Sequence, residues 1–149
     1  MQEAIVLFPG EGHTLTAANT RTTFKVKSEA TGGSFSVAEY DLPAGFPGPP
    51  PHVHKKFEHV WYVLVGELRV QINQNVIYAP AGTFVFVPKG TPHTFANPGT
   101  EIAKVLAIDT PGGLEPYYED LASAFPERTP PNPQVIREIQ QRYDTFPAP

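Results

Sequence analysis

Apolar residues up to residue 110 occur in short segments, most of them followed directly by glycine, proline or asparagine. Several segments alternate apolar and polar positions, as in Glu-Leu-Arg-Val-Gln-Ile-Asn at residues 67–73. Alternation with a period of two places every second side chain on one face of a strand, and glycine and proline mark the turns. The pattern predicts an all-β fold with short strands at residues 3–8, 22–27, 34–42, 57–65, 67–73, 76–79, 83–87, 93–97 and 102–109.

The pattern becomes helical towards the end of the chain. Apolar residues recur at steps of three and four between residues 114 and 125, which is the period of a helix. A second helix is indicated by Asn132, which suits an N-cap, and by Pro133, which suits the first helical position. We therefore expect two short helices in an extension, residues 113–149, that packs on the β domain of residues 1–112.

The composition is typical of one globular domain, with 149 residues of which 40% are hydrophobic and 17% charged. The net charge of −4 and the lack of a basic cluster longer than Lys55-Lys56 argue against nucleic acid and anionic membranes as partners. No apolar run has the length of a membrane span, and the N-terminus lacks the features of a signal peptide. These observations predict a cytoplasmic protein that acts on a small molecule.

Histidines are clustered in two segments, with His52, His54 and His59 in the first and His93 in the second. Residues two apart on a strand face the same side, so His52 and His54 present both imidazoles together. The chain has no cysteine, so a metal ion must use nitrogen or oxygen ligands, and neutral imidazole suits divalent transition metals. We predict one divalent ion bound by these four histidines, whereas His13 lies in a predicted surface turn.

Two motifs around these histidines resemble those of the cupin family. Residues 48–66 contain Gly-Pro-Pro-Pro-His-Val-His, then His59 and a final glycine, and resemble the first cupin motif. Residues 82–97 contain Pro-Lys-Gly-Thr-Pro-His, ending at His93, and match the second motif at each defined position. The chain is therefore identified as a single-domain cupin similar to the quercetin-dioxygenase-like group. The resemblance implies a double-stranded β-helix, also called a jelly roll or cupin barrel, over residues 1–112.

The chain departs from the family at one position of the first motif. Most metal-binding cupins have a glutamate where this sequence has His59, and the nearest glutamate is Glu58. Counting back from Gly66 along a regular strand places His59 on the inner face and Glu58 on the outer one. A bulge would reverse this, so Glu58 stays open as an alternative ligand or base. Some small cupins bind manganese through four histidines, and the resemblance implies manganese, iron or nickel in preference to zinc or copper.

An aromatic pocket beside the metal follows from the same alternation. Trp61 and Val63 share the face of His59, and Phe95 shares that of His93, so these three side chains are predicted to line a substrate pocket. Aromatic residues in a small barrel also serve as ordinary core, which is the alternative interpretation of all three.

Three functions are compatible with these residues. The resemblance to quercetin-dioxygenase-like proteins implies a metal-dependent dioxygenase, an oxidoreductase acting on a small enolate or phenolate such as a flavonol or diketone, with dioxygen as the second substrate. A non-redox isomerase, lyase or decarboxylase is the first alternative, and a non-catalytic small-molecule-binding cupin is the second. The resemblance also implies a homodimer. Edge strands need covering by a partner or by the chain's own segments, and residues 4–8 and the final helices are the elements expected to do this.

Overall fold

Two antiparallel β-sheets face each other in the computed structural model, which describes residues 3–149. The strands are β1 His13–Ala17, β2 Thr20–Val26, β3 Ser36–Leu42, β4 His52–Val53, β5 Glu58–Val65, β6 Glu67–Ile72, β7 Asn75–Pro80, β8 Phe84–Val87, β9 His93–Ala96, β10 Ala103–Thr110 and β11 Phe146–Pro147. One sheet has the order β1-β2-β3-β10-β5-β8 and the other β11-β4-β9-β6-β7. This arrangement is a double-stranded β-helix, and it confirms the predicted all-β fold.

The first strand lies later in the chain than the sequence predicts. The strand expected at residues 3–8 is wrong, because this segment has no regular secondary structure and its apolar side chains are exposed. A turn in which Glu11 N–H donates to the Phe8 carbonyl at 3.0 Å separates it from β1. Within residues 3–149 the segment pairs with no strand, and apolar composition without a ladder partner does not make a strand.

The core lies between the two sheets and follows the predicted alternation. On β5, His59, Trp61 and Val63 are buried, whereas Tyr62 and Leu64 on the opposite face are exposed. The inward-facing apolar side chains of both sheets form one cluster that includes Phe24, Tyr40, Leu42, Trp61, Val63, Leu68, Val70, Val87 and Val105.

Gly48 allows the loop before β4 to pass directly against β9. Its φ is +77°, and a Cβ added there would lie only 1.7 Å from the carbonyl oxygen of Phe95. Only glycine combines this conformation with so close an approach. The close approach brings the first histidine segment to the strand that carries His93.

The extension contains the two expected helices, α1 Glu115–Ala124 and α2 Pro133–Gln140. The Asn132 side chain caps α2 by accepting from the backbone N–H groups of Gln134 and Val135, as its position before Pro133 predicts. The two helices share an apolar cluster centred on Leu114, Tyr117 and Ile139, and the chain then returns to the barrel as β11, beside β4. No helix in the described part of the chain is long and apolar enough to cross a membrane.

Candidate metal centre

Three buried histidines meet at one end of the barrel. His52 on β4 pairs in register with His93 on β9, and His54 follows directly after β4. One ring nitrogen of each lies within 4.8 Å of the others, a spacing that one ion could bridge. The two motif segments therefore meet where the loop containing Gly48 passes the start of β9.

Each of the three rings has its Nδ1 atom held by a backbone carbonyl. His52 donates to the Pro50 carbonyl at 2.8 Å, His93 to the Thr91 carbonyl at 2.8 Å, and His54 to the Asp144 carbonyl at 2.9 Å. A proton on Nδ1 leaves the lone pair on Nε2, which is the arrangement of a metal-ligating histidine.

The Nε2 atom of His93 is buried and has no hydrogen-bond partner within residues 3–149. A buried polar atom without a partner is unfavourable in a folded protein and calls for a bound group. A divalent cation is the group that a lone pair surrounded by other imidazoles accepts, so the donor set fits the metal that the sequence predicts.

His59 borders this cluster. Its ring centroid lies 4.7 Å from that of His54 and 5.3 Å from that of His93, and the residue is buried. Its Nδ1 contacts a side-chain carboxylate, at 2.6 Å from Oδ1 of the buried Asp109 on β10. His59 as a fourth ligand stays a prediction. Glu58 lies on the outer side of β5, where its carboxylate accepts from the backbone N–H of Lys89 at 3.3 Å.

The electrostatic environment keeps the three clustered histidines neutral. Burial, reinforced by the nearby imidazoles, lowers the pKa of His52 to about 3, of His54 to about 4 and of His93 to about 2. A group with so low a pKa carries no proton on its second nitrogen at neutral pH. These side chains are ready to bind a cation without first releasing a proton.

A cavity of about 330 Å³ opens from the histidines into the space between barrel and helices. Trp61 stacks on His59 with centroids 5.6 Å apart, and Trp61 and Phe95 both line the cavity. Val63 is fully buried in the core cluster and is not among the lining residues. Apolar side chains from α1 and its flanks, Leu114, Leu121 and Phe125, cover the side opposite the barrel.

Two tyrosines in this cavity were not singled out from the sequence. The hydroxyls of Tyr40 on β3 and Tyr118 on α1 lie 2.5 Å apart, and both residues line the cavity. Burial raises the pKa of both phenols well above the usual 10, and the charge of Asp109 adds to the effect. Both stay protonated at neutral pH. Their positions in an inward-facing strand pattern and a helical stripe indicated core, and nothing local indicated that the hydroxyls meet.

Residues 38–109 match the family model described as the cupin domain. The match covers 72 of the 149 residues, and the double-stranded β-helix agrees with it. It is 26% identical over 133 residues to quercetin 2,3-dioxygenase of Bacillus subtilis (strain 168), an alignment that covers 89% of this chain and 39% of that protein. The chain thus spans about two fifths of the length of this relative.

Solved structures share the fold at lower identity. A predicted oxalate decarboxylase from Thermotoga maritima superposes with a TM-score of 0.65 at 22% identity, over 71% of this chain and 98% of that one. The polyketide cyclase RemF from Streptomyces resistomycificus superposes with a TM-score of 0.62 at 19% identity, over 72% of this chain and 80% of that one. Their differing activities illustrate that this fold does not fix the reaction.

Proposed function

We propose that the protein is a metal-dependent dioxygenase that binds a small enolate or phenolate at one divalent ion. The ion would be held by His52, His54 and His93, with His59 as the fourth ligand. The observation that carries the proposal is the buried group of imidazoles, each with Nδ1 engaged and Nε2 free, at the end of an aromatic cavity. Manganese, iron and nickel suit such a nitrogen shell.

The ligand set favours an anionic substrate. Four neutral imidazoles leave the charge of a divalent ion uncompensated within the shell, and such an ion acts as a Lewis acid that lowers the pKa of a bound hydroxyl. Asp109 is the nearest buried carboxylate, but it lies behind His59 and is occupied by the Nδ1 proton of that ring. With Nε2 on the metal, His59 has no nitrogen left to accept a substrate proton. The site therefore suits compounds acidic enough to bind as anions.

The cavity walls suit a planar substrate with a polar edge. Trp61 and Phe95, with centroids 5.1 Å apart, provide aromatic surface next to the histidines. In the Tyr40–Tyr118 pair one hydroxyl hydrogen is used between the two rings, which leaves the other free to donate to a substrate oxygen. Helix α1 covers one side of this space. The named activity of the Bacillus relative, a 2,3-dioxygenase of quercetin, supports a flavonol-like substrate class.

A reaction without dioxygen is the second candidate. Phenols that stay neutral and face the cavity can donate to an oxyanion that develops during isomerisation, elimination or decarboxylation. The solved structures with this fold include proteins described as a decarboxylase and a cyclase. A non-catalytic binding protein would use the same cavity without turnover.

Metal analysis followed by oxygen uptake tests the proposal. The protein is purified without added metal, its bound metals are measured by mass spectrometry, and the metal-free form is reloaded with manganese, iron, nickel or zinc. We expect about one ion per chain, and oxygen uptake with a flavonol, a 1,3-diketone or a catechol. The variant His93→Ala serves as the inactive control. Metal binding with no oxygen uptake for any metal would overturn the dioxygenase and favour the second candidate.

A further inference from the structure

The last residues of the chain contact the first histidine segment, about 90 positions earlier. The carbonyl oxygen of Asp144 accepts the Nδ1 proton of His54 at 2.9 Å. The Thr145 hydroxyl lies 3.3 Å from the same nitrogen, and it donates its own hydrogen to the Tyr143 carbonyl at 2.7 Å. Because Thr145 is only 1% exposed, this contact is shielded from water. The side of the His54 ring that faces away from the cluster is thus bounded by the tail.

The Asp144 side chain holds the backbone that follows His54. Its two carboxylate oxygens accept from the N–H groups of Lys55, Lys56 and Phe57 at 3.1, 2.7 and 3.3 Å. Hydrogen bonds to a charged acceptor are stronger than those between neutral groups. One carboxylate therefore fixes the turn between His54 and β5, the strand that carries His59.

The strand pairing of the tail fixes the other side of the same segment. Phe146 pairs with Val53 and Pro147 with His52, and the Ala148 N–H donates to the Pro51 carbonyl at 3.0 Å. These contacts precede His54 in the sequence, whereas those of the Asp144 carboxylate follow it. The tail therefore holds the segment on either side of the ligand as well as the ring itself.

His54 differs in this respect from the other clustered histidines. His52 and His93 donate to carbonyls two residues before them, at Pro50 and Thr91, so their own loops orient them. The acceptor of His54 comes from Asp144, outside the matched residues 38–109. Among these three histidines, His54 is the one whose orientation depends on a distant part of the chain.

We propose that residues 144–148, which we call the tail clasp, are a positioning element for His54 that sets its tautomer and its ring direction. The proposal rests on the metal site proposed above. Metal binding and docking of the clasp are then coupled, since an ion that binds the oriented ring stabilises the docked tail, and the docked tail strengthens ion binding by the same factor. Partners that orient a metal-ligating histidine contribute about 10–100-fold to metal affinity.

The test compares full-length Asp144→Gly and Asp144→Asn with the wild type. Asp144 has a φ of 40°, which glycine and asparagine adopt readily, so neither substitution adds backbone strain. Glycine removes every carboxylate contact but keeps the backbone carbonyl, so we expect it to change His54 by releasing the docked clasp, whereas asparagine keeps one acceptor oxygen. The control is Glu138→Ala on the exposed surface of α2.

Affinity for Mn²⁺ or Zn²⁺ is measured by chelator competition at a temperature at which all variants are folded. We expect Asp144→Gly to weaken binding about 10-fold or more, and Asp144→Asn and the control to stay within about 3-fold of the wild type. Equal affinity for Asp144→Gly and the wild type would overturn the proposal.

A second readout uses the metal-free protein and separates the two proposals. Nitrogen NMR of the imidazoles should show His54 as the Nδ1–H tautomer in the wild type and a mixture of tautomers in Asp144→Gly, with His52 and His93 unchanged. An unchanged His54 signal would contradict the positioning role even if no metal bound. Failure of the wild type to bind metal, with a shifted His54 signal in the variant, would instead refute the metal site and leave the positioning role supported.

Discussion

The barrel and the tail contribute different things to one site. Residues 38–109 supply all four imidazoles, and they also supply the hydrogen-bond acceptors of His52, His59 and His93. Residues 114–149 contain no histidine, yet they orient His54, contribute the Tyr118 hydroxyl and cover the cavity. The comparison teaches that ligand identity is encoded in the barrel motifs, whereas the shape of the cavity and part of the ligand geometry depend on the sequence outside them.

Among substitutions in the barrel, we expect His93→Ala to have the largest effect on metal binding. This substitution removes the ring whose Nε2 is buried and has no hydrogen-bond partner in the part of the chain that the structure describes. We expect metal affinity to fall by at least about 100-fold, more than any change in the tail produces. Metal content after dialysis measures the effect, with His13→Ala on the exposed end of β1 as the control. Retention of a full complement of metal would place the site elsewhere.

Acid should destabilise the metal-free protein through the barrel histidines. The folded-state pKa values of His52, His54 and His93 lie below the ordinary 6.5, so below that pH the unfolded chain takes up protons that the folded chain does not. The free energy of unfolding should therefore fall from pH 6.5 to 5, by on the order of 1 kcal/mol per histidine per pH unit. It should level off once the folded forms titrate. Urea unfolding measures this effect.

The control for the acid experiment is His13→Gln, because His13 is exposed and its loss should leave the slope unchanged. Saturating metal should delay the onset of destabilisation, since the ion competes with protons for the same nitrogens. A free energy of unfolding that stays constant between pH 6.5 and 5 would contradict the buried, neutral state of the cluster.

The variant Tyr118→Phe tests the contribution of the residues after the barrel to substrate binding. If the tyrosine pair donates to the substrate, losing one hydroxyl should weaken substrate binding or turnover about 10-fold, the equivalent of one hydrogen bond of roughly 1.4 kcal/mol. Metal affinity should not change, because Tyr118 does not hydrogen-bond any of the histidines. The matched control is Tyr78→Phe on the exposed surface of β7. Unchanged kinetics would reduce the pair to a packing contact.

How much of this the sequence could predict follows the same division. The motif spacing predicted that the four histidines lie close together. Strand alternation predicted that His59 faces inward and Glu58 outward, and the structure has both side chains in these orientations. The helix periodicity and the Asn132 cap predicted α1 and α2. These signals are local, since they depend on residues that are neighbours along one strand or one helix.

The remaining features depend on contacts between distant segments. The acceptor for His54 is a backbone carbonyl, which every residue type has, so no side chain in the sequence marks it. Tyr40 and Tyr118 meet only because α1 packs across the barrel, and each is otherwise typical of core. The strand predicted at residues 3–8 fails for the converse reason, since its apolar pattern is right but a partner strand is missing from the described chain.

An exposed apolar patch lies on the barrel surface that the tail does not cover, and substitutions there should have the smallest effect on metal affinity. On the outer face of β5 and β8, Tyr62 pairs with Phe84, and Phe84 and Phe86 are 61% and 50% exposed. An apolar patch on a sheet face is typical of an interface. We expect a homodimer through this face, with residues 4–8 as a further contact. Of the two final helices, α1 packs on β1 of the same chain and α2 packs on α1, and a contact of these helices with a partner stays a prediction.

Sedimentation should give about twice the 16.3 kDa chain mass. The variant Phe84→Lys should shift this towards the monomer, whereas Glu138→Lys on α2 should not, and metal affinity should change less than about 3-fold in either variant. A wild-type protein that is monomeric at micromolar concentration would refute the predicted interface.

The proposed site has His59 as a metal ligand beside the three clustered histidines. A crystal structure of the metal-loaded protein, with the ion located by anomalous scattering, tests it most directly. We expect one ion, with the Nε2 atoms of His52, His54, His59 and His93 roughly 2.0–2.3 Å away from it. The Nδ1 atom of His59 should still be hydrogen-bonded to Asp109. An ion bound by the other three histidines and a carboxylate of Glu58, or with His59 turned away from it, would contradict the account.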